Sequence, residues 1–180
     1  MNYFSPYYPT KPKPSADDFA EVIRTRRDIA LTPHFRLSEM ITTSHSDIDN
    51  WPTSPETIVK LQYCCTNILE KVRAHFGRPV RVNSGFRTLA LNTRIGGATD
   101  SQHMKGEAAD FEIDGVANGD ICKWIAGNLV FDQLILEFYT RGEPNSGWAH
   151  CSVIPTGNRK QVLTAVRQNG DTVYLSGLHF

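Results

Sequence analysis

Between Pro55 and Phe76 the apolar residues Ile58, Leu61, Cys65, Ile68, Leu69, Val72 and Phe76 recur at helical spacing and share one face. Ser54 stands where an N-cap belongs, Pro55 takes the first helical position and Gly77 lies just past the end, so the pattern predicts a helix over 55–76. Elsewhere the period changes. Val80–Asn83 reads as a strand, followed by a turn at Ser84-Gly85 and a short helix over 89–94 that the Gly96-Gly97 pair ends. Asp110-Phe111-Glu112-Ile113 alternates as a half-buried strand does, which puts Asp110 and Glu112 on the same side. A helix is expected over 119–129. Strands are expected over 133–139 and 148–154, joined by the polar loop 142–147, and Asn169-Gly170 signals a final hairpin with arms 162–167 and 172–175. Residues 1–15, rich in Pro, Tyr and Lys, carry no period and read as an extended arm, with a short helix over 17–27 after it. The sum is an α+β fold, its helices packed with a mostly antiparallel sheet.

At 180 residues the chain has the length of one domain. Lys plus Arg and Asp plus Glu number 19 each, so the formal net charge is zero. That balance excludes recognition of a polyanion by charge alone, and with it a nucleic-acid partner. No window approaches the ~18 apolar residues of a membrane span, and no basic segment followed by an apolar run opens the chain. The expectation is therefore synthesis in the cytoplasm without a signal peptide and without membrane insertion. Of the four cysteines, Cys64 and Cys65 are adjacent in a helical stretch and cannot readily pair with each other, so free thiols filling core volume are expected there and at Cys122. Cys151, if on a strand, points opposite to His150.

The candidate chemistry sits in Ser101-Gln102-His103-Met104-Lys105-Gly106-Glu107-Ala108-Ala109-Asp110 and in Trp148-Ala149-His150. His103, Asp110 and His150 supply two imidazoles and a carboxylate. That is the ligand count of a catalytic zinc, Zn2+, with its fourth position left to water. Gly106 and Ala108 stand where bulk would obstruct such a site. In this layout His103 comes from a loop before a strand, Asp110 from that strand and His150 from a second one. The remaining histidines, His34, His45, His75 and His179, lack partners at ligand spacing; His75, near a helix C-terminus, suits helix-end electrostatics. Glu112 is placed to orient a ligand histidine through its other ring nitrogen.

These residues keep company that is recognisable. His34-Phe35-Arg36-Leu37-Ser38-Glu39-Met40, Asn50-Trp51-Pro52, Val82-Asn83-Ser84-Gly85-Phe86-Arg87-Thr88, Leu91-Asn92, Ile95-Gly96-Gly97-Ala98, the ligand block, Phe131-Asp132-Gln133-Leu134-Ile135-Leu136-Glu137 and Trp148-Ala149-His150 follow in order. In them the chain resembles the zinc peptidase superfamily of D-Ala-D-Ala carboxypeptidases, phage endolysin peptidases and the hedgehog signalling domain, and most of all its small phage-type branch. The resemblance implies a hedgehog/DD-peptidase-like fold over residues 31–180 behind an N-terminal extension, 1–30. It also implies hydrolysis of a peptidoglycan stem peptide, either as a D-Ala-D-Ala carboxypeptidase or as an L-Ala-D-Glu or cross-bridge endopeptidase. A wall-cutting enzyme made in the bacterial cytoplasm acts after release or within a virion, which adds phage virion or lysis components as partners.

For the general base two residues stand open, Glu137 at the end of an apolar run and Glu143 in the connecting loop. Glu137 is favoured because phage-type relatives carry a Glu in that block. Many carboxypeptidase members instead place the base in a Glu-x-x-His pattern, and here Gly147 holds that position. Arg87 resembles the superfamily arginine that faces the substrate carbonyl or a neighbouring carboxylate, against the plainer reading of an arginine tying a turn to the fold. Ser101, Gln102 and Trp148 are expected to line the substrate cleft. The competing function is a non-catalytic zinc-containing binding or virion structural module on the same fold.

Overall fold

In the computed structural model the described residues are 16–180, so the extended arm expected over 1–15 lies outside them. The helix 55–76 is one continuous rod built of α3 (Pro55–Cys64), a π-helical turn (Cys65–Leu69) and α4 (Glu70–Phe76), after α1 (Ala16–Thr25) and α2 (Leu37–Met40). Ser54 caps it by accepting from the Glu56 N–H, and Gly77 closes it with φ +63°. The wide turn falls where the side chains of Thr66 and Asn67 donate to the carbonyls of Gln62 and Tyr63 one turn back, competing with the backbone ladder for its acceptors. Apolar periodicity does not register such competition, because the buried stripe runs through Cys65, Ile68 and Leu69 unbroken.

Three further helices, α5 (Leu89–Arg94), α6 (Gln102–Lys105) and α7 (Asn118–Asn128), alternate with strands β1 (Arg81–Ser84), β2 (Ala108–Glu112), β3 (Gln133–Glu137), β4 (Trp148–Ser152), β5 (Gln161–Gln168) and β6 (Asp171–Ser176). The strands form one sheet in the order β1-β2-β4-β3-β5-β6, antiparallel throughout except for the β3–β5 pair. The fold is α+β with a mostly antiparallel six-stranded sheet.

Strand alternation divides the sheet into two unlike faces. Ala109, Phe111, Leu134, Leu136, Ala149 and Cys151 point to one side, and all are fully buried against the apolar stripe of the long helix and against Ile121, Cys122 and Ile125 of α7. All four cysteines are buried free thiols; burial pushes Cys64 up to about 12. Phe19 and Val22 of α1 enter the same core. The other side carries Asp110, His150, Ile135 and Glu137, where pairing sets Asp110 opposite His150 and His150 opposite Ile135. Among the described residues this face lines a cleft.

Two sequence expectations change. His103 does not come from a loop: it lies on α6, whose four residues are too few to show a helical period. Glu112 does share a side with Asp110 but orients no histidine; it accepts from Arg81 and Asn83 toward the sheet edge, because β2 pairs there with β1 rather than with a ligand strand. His75, in the last turn of α4, also stacks on Trp124, with ring centroids 4.3 Å apart.

Replacing Phe111 by Ala leaves Asp110 its neighbours but empties the centre of the dry face. The expected loss is about 3–5 kcal/mol of unfolding free energy, read as a lowered urea midpoint with an unchanged m-value.

Candidate metal centre and cleft

His103, Asp110 and His150 are buried and their ligating atoms converge. His150 Nδ1 lies 2.8 Å and His103 Nε2 3.2 Å from the same carboxylate oxygen, Asp110 Oδ1, and the two imidazole nitrogens are 3.1 Å apart. His103 Nδ1 lies 2.6 Å from the Gly85 carbonyl, which can only accept, so this nitrogen carries the proton and Nε2 presents a lone pair. Burial pushes the His103 pKa down, with Asp110 opposing in part, which keeps the ring neutral. A neutral Nε2 facing a carboxylate oxygen sets acceptor against acceptor. A cation at the centre of this triangle relieves that opposition, and two imidazoles with one carboxylate are a donor set suited to zinc.

Asp110 is fixed from its other side. Burial works against its charge, but the imidazoles outweigh it and hold the carboxyl well below the usual range. Arg87 Nη2 donates to Asp110 Oδ2 at 2.6 Å while Arg87 Nε donates to Ser84 Oγ at 2.9 Å. An irregularity in β1 between Val82 and Ser84 brings Ser84 opposite Asp110, and so starts the Arg87 turn beside the carboxylate. Asn50 then pins that turn: its amide donates to the Phe86 carbonyl at 2.9 Å and its carbonyl oxygen accepts from Thr88 N–H at 2.8 Å. Gly85 passes so close to the Met40 carbonyl that a Cβ there would overlap it. Asn50 was visible in the Asn50-Trp51-Pro52 block, but nothing local told that its partner lay 36 residues on.

The triad lies in the floor of a cleft of about 860 Å³. Glu137 lines it, two residues beyond Ile135 on the strand next to His150, and its carboxylate makes no hydrogen bond or ion pair among the described residues. Burial, reinforced by the charge of Asp110, pushes the Glu137 carboxyl up to about 7. Ser101 also lines the cleft; it stands at the start of α6 yet its hydroxyl makes no cap bond. Gln102 lines it too, with its amide donating to Asp132 Oδ2 at 2.7 Å, and Arg159 grips that same buried carboxylate. Hydrogen bonding from Arg159 holds Asp132 down to about 2. Trp148 borders the cleft beside Phe138, ring centroids 5.3 Å apart, with its indole N–H buried and unpartnered.

A family model described as Peptidase M15 matches residues 33–143, well over half of the chain. The chain belongs to that family. A zinc D-Ala-D-Ala carboxypeptidase of Streptomyces albus G is 46% identical over 43 residues, which are 23% of this chain and 17% of that protein. The match thus spans about a sixth of that relative. The family match ends before His150, so it is the sheet pairing that brings the third donor of this M15 chain to the first two.

The structure also separates the two glutamates. Glu143 is exposed and lines a separate shallow depression with Pro144, Asn145 and Ser146, outside the cleft that holds His103 and Glu137. The Glu-x-x-His position is closed for a steric reason: Gly147 has φ +65°, and a Cβ there would collide with the Glu137 carbonyl oxygen. Installing that pattern as Gly147→Glu is expected to cost more than about 2 kcal/mol of stability through backbone strain and displacement of β3, read from the urea midpoint.

The high Glu137 pKa has a signed consequence for the metal-free chain. A carboxyl at about 7 in the fold against 4.5 when exposed binds its proton more tightly folded, so its contribution is present below the lower value and lost as pH rises through the higher. The melting temperature of Glu137→Gln relative to wild type, measured in chelator, should therefore rise between about pH 5 and pH 8. A difference that stays flat over this window refutes the assignment.

Proposed function

We propose that this chain is a zinc-dependent peptidase that hydrolyses peptide bonds in the stem or cross-bridge of bacterial peptidoglycan, on a hedgehog/DD-peptidase-like fold spanning residues 31–180. His103, Asp110 and His150 hold the metal. The chemistry that a bound zinc supplies is Lewis acidity toward water and a peptide carbonyl. Support comes from membership in the M15 family, from the partial match to a protein named as a zinc D-Ala-D-Ala carboxypeptidase, and from the three convergent donors.

The single observation that carries catalysis is Glu137. A carboxyl pushed up to about 7, unpaired and lining the same cleft as the triad, has the affinity a general base needs near neutral pH. It takes the proton of the attacking water and returns it to the leaving amine. A module that only held metal would have no use for an unpartnered, half-buried carboxylate there, since such a group costs stability when ionised. Arg87 acts first as a positioning residue through Asp110; its remaining N–H groups line the cleft as donors to the developing oxyanion. Ser101 and Trp148 contact the peptide, and Gln102 contributes the wall it forms with Asp132. The resemblance to phage-type peptidases supports our placing of the enzyme in phage lysis or in a virion; among the described residues no helix is long and apolar enough to cross a membrane.

Purified peptidoglycan incubated with the zinc-loaded chain should release stem-peptide fragments whose masses name the bond cut. Glu137→Ala should slow release by about 100- to 10,000-fold at unchanged zinc content, while Glu143→Ala stays within about twofold of wild type. Equal rates and identical fragments from wild type and Glu137→Ala would sink this reading.

A further inference from the structure

Among the described residues four Lys and Arg cations line the cleft, and three are engaged by carboxylates. Arg87 holds Asp110 at 2.6 Å, Lys105 holds Asp100 at 2.6 Å and Arg159 holds Asp132 at 2.5 Å. Arg167 differs: among the described residues it has no carboxylate partner. Its Nη1 donates to Thr172 Oγ1 at 2.9 Å, and its guanidinium carbon sits 4.7 Å from the centroid of the Phe138 ring. That platform is itself fixed. Phe138 is held at φ +53° by its N–H bond to the Ala165 carbonyl at 2.9 Å, and its ring packs edge-on against Trp148. The guanidinium is thus seated by a ring and a hydroxyl, with most of its N–H groups unused on a residue that lines the cleft.

Its place in the sheet relates it to the proposed chemistry. Ala165 of β5 stands opposite Glu137, and Arg167 lies two residues further along on the same face, opposite Thr172 of β6. Strand spacing puts its Cα on the order of 8 Å from that of Glu137. Tyr174, 55% exposed and opposite Ala165, walls the same end. An extended peptide advances roughly 3.3–3.6 Å per residue, so a group on Arg167 belongs to a residue about one to three places from the bond under attack. A seated, unpaired guanidinium offers a planar fork whose natural complement is a carboxylate.

We propose that the β5–β6 hairpin, which lies beyond the segment matched to the family, is the specificity arm of this cleft, and that Arg167 binds a free carboxylate of the substrate peptide. The proposal rests on the peptidase reading of the cleft and deepens it: substrates bear an ionised carboxylate near the scissile bond. In a lysine-type wall stem peptide that carboxylate comes either from γ-linked D-Glu or from the C-terminus.

The test uses L-Ala-γ-D-Glu-L-Lys-D-Ala-D-Ala, the same peptide amidated at D-Glu, and the same peptide amidated at its C-terminus. Each is titrated calorimetrically into the zinc-loaded Glu137→Ala chain, alone and combined with R167A or R167K. One amide is expected to bind about 10- to 100-fold more weakly than the acid, and which one it is identifies the carboxylate. With R167A the acid should fall to the level of that amide, and R167K should keep part of the preference. Equal binding of all three peptides, binding of none, or a preference that survives R167A overturns the proposal. Turnover by the zinc-loaded wild type separates the two readings. Binding with the expected preference but no cleavage of any peptide or of peptidoglycan supports the arm and overturns the hydrolase, whereas cleavage without preference does the reverse.

Discussion

The site depends on how one buried anion is held. Asp110 has one oxygen shared between two imidazoles and the other on Arg87, and every neighbouring element is shaped by the need to keep those contacts. A carboxylate taken out of water is tolerated only when paired and hydrogen-bonded, and breaking such a pair costs roughly 3–5 kcal/mol. Hence the irregular end of β1 that presents Ser84, the Arg87 turn behind it, and Asn50 pinning that turn from a distant loop. The glycine at 85 belongs to the same chain of constraint, since it lets the turn approach Met40 while its carbonyl fixes the His103 tautomer.

Against Asp110 stands Glu137, a carboxylate on the same sheet face, with β4 between their strands. One is saturated with partners and held low; the other makes no hydrogen bond or ion pair among the described residues and is pushed up to about 7, in part by the charge of the first. Two identical functional groups are driven apart in proton affinity by their surroundings alone, so that one cleft holds an ionised carboxylate beside one that titrates near neutral pH. The sheet makes this contrast durable, because both groups ride on paired strands rather than on loops.

Local patterns were legible in the sequence where the physics is local. The cap at Ser54, the stripe from Ile58 to Phe76 and the hairpin turn at Asn169-Gly170 are each specified by near neighbours, and the structure has them there. The order of strands was not legible. β5 pairs parallel with β3, and nothing in either segment encodes that choice over an antiparallel partner. The assignment of Glu112 failed for a related reason: alternation tells which face a residue takes but not which strand lies beside it. Nor was the reason for Gly147 legible, since it is the Glu137 carbonyl on a neighbouring strand that leaves no room for a side chain there. Arg159 and Asp132, 27 residues apart, carried no mutual signal at all.

That last pair explains how a helix of four residues can carry a metal donor. A helix as short as α6 has no stability of its own, because nucleation costs more than one or two hydrogen bonds return. Here it is anchored at two successive residues. Gln102 is tied to Asp132 at the head of β3, and His103 is tied to Gly85 and faces Asp110 on β2. Asp132 in turn accepts from both the backbone and the side chain of Arg159, in the connection between β4 and β5. The two buried carboxylates therefore divide the work along the cleft. Asp110 gathers the donors, and Asp132 binds the helix that carries one donor to the strand that carries Glu137, so that the spacing between the triad and Glu137 is set by the sheet itself.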